Sequence, residues 1–106
     1  MTDYQIIERL VKEIRKKRIA DPKKSYIAKL FNKGRLKMAQ KVGEEAVELV
    51  IDVSRGDRKK ALSESADLFF HLLVLWEEMG IEVHEVLNEL ESREGKSGIE
   101  EKANRK

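Results

Sequence analysis

Apolar positions recur at helical spacing along almost the whole chain, and few stretches alternate as a strand would. Tyr4, Ile7, Leu10, Val11 and Ile14 make one stripe, and Thr2 with Gln5 three residues later reads as a capping box at its start. The segment Ile19-Ala20-Asp21-Pro22 ends this first helix, because the residue before a proline is pushed out of the helical region. A short second helix is predicted over residues 25–32, with Gly34 beyond its end. A third covers residues 36–54 and stops at Gly56. Asp57 caps a fourth that runs to Met79, before Gly80. The short Arg55-Gly56-Asp57 loop folds helices three and four into an antiparallel hairpin. A fifth helix is predicted over residues 83–93. The expectation is an all-α helical bundle with a central antiparallel hairpin. Residues 1–93 form one domain and residues 94–106 a charged, frayed tail.

Composition adds limits to this picture. With 106 residues, a single core is feasible but thin, so a four-helix-type core completed by homodimerisation is expected. Charged residues make up 40% and hydrophobic ones 41%, which suits amphipathic helices with charged outer faces. The net charge of +2 gives no global field for nucleic acid, and no such partner is expected. Basic residues nevertheless crowd one segment: Lys12, Arg15, Lys16, Lys17, Arg18, Lys23 and Lys24. They read equally well as a phosphate site and as a solvated helix end. The chain has no cysteine, which excludes disulfides and thiolate metal sites and fits a reducing compartment. Its first residues lack the apolar core of a secretion signal, and its longest apolar run is too short to span a membrane. A cytoplasmic protein without a membrane partner is expected.

The chemistry concentrates on the hairpin. Residues 66–76 read ADLFFHLLVLW, polar only at Asp67 and His71. A helix apolar all round is buried, so Asp67 is expected inside, on a face shared with Glu64 and His71. A buried carboxylate needs a cation or loses its charge. On helix three, Lys37, Lys41, Glu44, Glu45, Glu48 and Asp52 form a polar stripe. Opposite lies a wide apolar arc of Leu36, Ala39, Val42, Ala46, Leu49, Val50 and Val53, which implies more than one packing neighbour. Glu45 and Glu48 have a spacing of three, as do Glu64 and Asp67, so an antiparallel hairpin sets the pairs against each other. Four such carboxylates repel unless a divalent cation joins them, and hard oxygen donors suit Mg²⁺ or Mn²⁺ rather than Zn²⁺. Taken alone, the helix-three acids pass equally for a solvated face. His71 reads first as a core histidine bonded to a neighbouring side chain, and second as a substrate contact. Phe69, Phe70 and Trp76 read as core or dimer contacts.

Glu44-Glu45-x-x-Glu48, a spacer over residues 49–63, then Glu64-x-x-Asp67 resembles the signature of the all-α NTP pyrophosphatase (MazG-like) superfamily. Within it, five segments are similar to the phosphoribosyl-ATP pyrophosphatase family: Asp21-Pro22, Ser25-Tyr26-x-Ala28-Lys29-Leu30, Lys33-Gly34, Lys41-Val42-Gly43-Glu44-Glu45-Ala46 and Ala66-Asp67-Leu68-x-x-His71-Leu72-Leu73-Val74. The likeness extends to about Glu91. One departure is Ile27, where the family commonly has Thr.

The resemblance implies Mg²⁺-dependent hydrolysis of the α–β phosphoanhydride of phosphoribosyl-ATP, an early step of histidine biosynthesis, by a homodimer whose two subunits line each site. It implies Glu45, Glu48, Glu64 and Asp67 as metal ligands. Glu44 becomes the candidate for orienting or deprotonating water, and Lys29, Lys37 and Lys41 the candidates for holding phosphates. Lys41 could instead pair with Glu45 or Glu48. The rival expectations are a house-cleaning NTP or dNTP pyrophosphohydrolase of the same superfamily and a non-catalytic helical interaction module. A ferritin-type di-metal bundle is disfavoured because His71 is at the wrong spacing.

Overall fold

A computed structural model describes residues 3–96. Among these residues the chain forms five helices and no strand: α1 (Ile6–Lys17), α2 (Tyr26–Lys33), α3 (Arg35–Ser54), α4 (Arg58–Met79) and α5 (Val83–Ser92). The all-α expectation holds. Thr2 and the part of the tail beyond Lys96 lie outside the described residues.

The helix ends follow their local chemistry. Ser25 caps α2 by accepting a hydrogen bond from the Ala28 amide, and Asp57 caps α4 by accepting from Lys60. At the start of α1 the Asp3 carboxylate accepts from the Gln5 amide at 2.8 Å, and the helix begins later than the Thr2–Gln5 spacing implies. Gly34, at φ 97°, both ends α2 and starts α3, so a single residue turns the chain between them. An unforeseen capping box at Glu82 and Glu85 opens α5.

Helices α3 and α4 pack along each other as the predicted hairpin; α1 lies on α4, and α2 on α3. The core they enclose is small: Ile14, Ala28, Leu30, Met38, Leu73 and Val74 are the buried apolar residues among those described. Ile27 packs against this cluster, which gives the apolar residue at that position a structural purpose.

The hairpin is not covered all round. Val47, Val50 and Val53 on α3, and Leu62 and Phe69 on α4, are exposed. The α3 apolar arc therefore exceeds what one chain can bury. The first half of α4 also departs from expectation: Ala66, Asp67 and Phe69 face outward, because α1 and α3 cover only part of its circumference. No described helix is long and apolar enough to cross a membrane.

Candidate metal and active site

Three of the four predicted carboxylates converge. Glu45 and Glu48 come from one face of α3 and Glu64 from α4. One carboxylate oxygen of each lies within 4.8 Å of the others. Glu45 is buried, Glu64 half-buried and Glu48 exposed. The nearby cation is Lys41, one turn earlier on α3, whose Nζ lies 3.5 Å from Glu45 Oε1 and 3.7 Å from Glu44 Oε1.

The charge balance within this group is uneven. Glu64 Oε2 is buried and has no hydrogen-bond partner among the described residues. Its closest neighbours are carboxylates, which offer no donor unless protonated. Hydrogen bonding to Glu45, burial and the proximity of Glu48 push the Glu64 carboxyl up to about 7. Burial would raise Glu45 as well. The hydrogen bond from Glu64, Lys41 and the nearby His71 outweigh it and hold Glu45 below its ordinary value. Lys41 is in turn raised: burial opposes its charge, but Tyr26, Glu45 and Glu44 more than compensate. Without a further cation, then, the raised value favours a proton on Glu64 that Glu45 can accept in a hydrogen bond. A buried oxygen lacking a donor, inside a set of hard oxygen ligands, is the chemistry that a divalent cation of the Mg²⁺ or Mn²⁺ type satisfies. The residues present fit such an ion.

Asp67 does not join the group: its side chain is exposed, and the expectation that it is buried is corrected. The apolar run around it reflects a flank of α4 that the other described helices leave bare. What Asp67 does supply is its backbone carbonyl, to which His71 Nδ1 donates at 2.7 Å. His71 is buried, and its Nε2 lies 2.8 Å from the Tyr26 hydroxyl. This is the side-chain bond expected of a core histidine. Both ring nitrogens of His71 are thus engaged among the described residues.

The other candidates are distributed around the site. Glu44 is exposed and accepts from Gln40 Nε2 at 3.1 Å. Lys37 is exposed on α3 and Lys29 on α2. Two open clefts flank the acids and share Glu48. One, of about 350 Å³, is lined by Glu48, Ile51, Asp52, Lys60, Ser63 and Glu64. The other, of about 700 Å³, is lined by Gln40, Lys41, Gly43, Glu44, Val47 and Glu48. Lys60, which lines the smaller cleft, was not singled out from the sequence. Its position four before Glu64, one helical turn away, was the signal available.

The basic segment divides. Arg15 Nη2 pairs with Glu77 at 2.8 Å and with Glu82 at 3.3 Å, and Arg18 pairs with Glu78 at 3.3 Å while lying over the Phe31 ring. Lys17 pairs with Glu13. For Arg15 and Arg18 the phosphate-site reading is therefore replaced by a structural one: they tie α1 to the far end of α4 and the start of α5.

Comparison with known proteins finds relatives that match nearly the whole chain. A relative from Azospirillum brasilense, named phosphoribosyl-ATP pyrophosphatase, is 52% identical over 101 residues, which is 95% of this chain and 91% of that protein. One of the same name from Novosphingobium aromaticivorans is 52% identical over 105 residues, covering 99% and 98% of the two chains. Another from Paracoccus denitrificans is 50% identical over 100 residues, 94% and 93%. The description of the phosphoribosyl-ATP pyrophosphohydrolase family matches residues 7–94, a span that holds all five helices apart from the first residue of α1. The chain belongs to the phosphoribosyl-ATP pyrophosphohydrolase family.

Proposed function

We propose that this protein hydrolyses phosphoribosyl-ATP to phosphoribosyl-AMP and pyrophosphate, in histidine biosynthesis, with Mg²⁺ as its cofactor. Family membership supports the substrate. The observation that supports the metal is Glu64 Oε2, buried among carboxylates with no donor. Glu45, Glu48 and Glu64 are the ligands this arrangement favours. Asp67, one turn after Glu64, is a fourth that would have to swing its side chain inward. When bound, Mg²⁺ would supply the positive charge that offsets charge building up on the phosphate oxygens.

The chain's own residues divide the remaining work. Glu44 is exposed beside the ligands and above the larger cleft, where it can hold a water and take its proton. That water's oxygen bonds to the α-phosphorus as the α–β anhydride bond breaks, and pyrophosphate leaves with the electron pair. Lys41 lines the same cleft and can bind a phosphate oxygen; Lys37 and Lys29 are exposed and can steer the anionic substrate.

The reading includes a homodimer. Val47, Val50, Val53, Leu62 and Phe69 leave an apolar flank on the hairpin that carries the acids. A second copy packed there would complete the core and bring its own residues to the open clefts. A cytoplasmic setting follows from the biosynthetic role. The deciding experiment is pyrophosphate release from phosphoribosyl-ATP with and without Mg²⁺, beside a panel of canonical and modified nucleoside triphosphates. Release that needs Mg²⁺ and favours phosphoribosyl-ATP supports the proposal. Comparable turnover of the ordinary triphosphates would replace it with a house-cleaning role.

A further inference from the structure

The two clefts beside the acids are not equivalent. Along α3, Glu44 lies one turn before Glu48 and Asp52 one turn after it, about 6 Å to either side along the axis. The larger cleft holds the Glu44 side and is lined by α3 alone. The smaller one, of about 350 Å³, holds the Asp52 side and adds Lys60, Ser63 and Glu64 from α4. Two of its polar groups are uncommitted. Lys60 makes no ion pair among the described residues, although Glu64 follows one turn along the same helix. Ser54 and Ser65 each donate to the carbonyl four residues back, at 2.8 and 2.7 Å, whereas Ser63 makes no such bond. An ammonium and a hydroxyl therefore line a cleft whose other charged groups are carboxylates.

We propose that the smaller cleft receives the pyrophosphate leaving group, with the Lys60 ammonium as its ligand from the protein. The inference rests on the proposed hydrolysis for the identity of the anion. In phosphoryl transfer the attacking and departing oxygens lie roughly in line through the phosphorus. Glu44, the water-holding acid of the proposed reaction, is on one side of Glu48, so the departing oxygen points to the other. The water's oxygen bonds to the α-phosphorus and its proton passes to Glu44. The α–β bridging oxygen then parts from the α-phosphorus with the electron pair, and negative charge builds on the pyrophosphate. Lys60 is the uncommitted cation on that side, while Lys41 is held on the other by Glu45 and Glu44. Glu48, Asp52 and Glu64 repel a bare polyanion, so firm binding of pyrophosphate there requires Mg²⁺ as well as Lys60.

Calorimetry tests this without turnover. Inorganic pyrophosphate and phosphoribosyl-AMP, the two products, are titrated separately into the protein in saturating Mg²⁺. Lys60→Gln should raise the Kd of pyrophosphate about tenfold, the scale of one lost hydrogen bond at a charged group, and leave that of phosphoribosyl-AMP unchanged. Lys60→Arg keeps the cation and should restore pyrophosphate binding. Lys60 is exposed, so neither change disturbs the core. An unchanged Kd for pyrophosphate in Lys60→Gln overturns the proposal. So does an equal loss for both products, which a general surface charge would give, or no binding of pyrophosphate by the unsubstituted protein. If pyrophosphate is released from ordinary triphosphates rather than from phosphoribosyl-ATP, the substrate reading fails, and the same titration still decides the subsite because the departing anion is the same.

Discussion

Helix α4 carries acids toward both of its ends, and the two ends meet their charge in opposite ways. Near the C-terminal end, Glu77 and Glu78 face arginines: Arg15 at 2.8 Å, Arg18 at 3.3 Å and Arg35 at 3.9 Å. The Arg15 guanidinium is held firmly in its charged form by its hydrogen bonds to Glu77 and Glu82. Toward the other end, Glu64 faces two further carboxylates, and the adjacent ammonium of Lys41 is already engaged by Glu45 and Glu44. Acids gathered on a helix are thus not a site in themselves. The informative feature is a missing counter-charge, and only the Glu64 end has one.

The sharpest way to break this contrast is to neutralise one member at each end. Glu64→Gln keeps the shape and removes a charge. We expect kcat/KM to fall by about a thousandfold or more, as for loss of a ligand to a catalytic ion. The fold should survive, and thermal stability should hold or rise, because repulsion among the three carboxylates is relieved. Glu48→Gln should behave alike. If both variants turn over substrate at near the original rate in saturating Mg²⁺, the acids are merely a solvated face. Asp67→Asn asks a different question: a loss as large as that for Glu64→Gln would show that Asp67 swings in to complete the ligand set.

A second contrast lies between the covered and the bare flanks of the same hairpin. Phe69→Glu or Val50→Asp places a charge where a second copy is proposed to pack. Burying an unpaired charge there should weaken the dimer by at least about a hundredfold in Kd, which is about 3 kcal/mol. Sedimentation over a concentration series would show it. An unchanged sedimentation coefficient in both variants removes the dimer from that face.

Protonation offers a gentler probe of the uncompensated end. The Glu64 carboxyl sits at about 7 in the folded protein, against an ordinary value of 4.5 for a free glutamate. Between those values the folded state holds a proton that the unfolded chain has released. That contribution to stability is full below about pH 4.5 and is lost as pH rises through about 7. The difference in melting temperature between metal-free wild type and Glu64→Gln should therefore change across this window, in favour of the variant at higher pH. Mg²⁺ competes with the proton for the same oxygens, so its stabilising effect should grow with pH. A difference that stays flat from pH 4.5 to 8 contradicts the shared proton.

Much of the fold was legible because helical period, caps and glycine stops are local signals. Ser25, Asp57 and Gly80 mark their helix ends in sequence and in structure alike. The site was legible in part. Glu45, Glu48 and Glu64 could be brought together from spacing and the hairpin alone. Asp67 could not be placed, because an apolar neighbourhood in sequence was read as burial within one chain. In the structure, part of that neighbourhood faces outward. Sequence period tells which residues share a face, but not which neighbour covers it. The pairing of Arg15 and Arg18 with α4 was hidden for a related reason: those partners are 60 or more positions away along the chain, beyond any local pattern. The link from Tyr26 to His71 spans 45 positions and was likewise beyond any local pattern, although the need of a core histidine for a partner was foreseeable.

The smallest effect belongs to the compensated end, and it is what makes the contrast quantitative. Glu77 receives both Arg15 and Arg18, and its side chain is only 14% exposed while the arginines remain 50% and 40% exposed. Solvent screens such pairs, so Glu77→Ala should cost about 1 kcal/mol, toward the upper end for exposed ion pairs because one carboxylate serves two guanidinium groups. Activity should be unchanged at temperatures where the protein is folded, since Glu77 lines neither of the clefts beside the acids. The loss should shrink in high salt, which screens the arginine pairs. A change in kcat/KM comparable with that of Glu64→Gln would mean that the two ends of α4 act as one electrostatic unit, and that the counter-charge at one end sets the poise of the other.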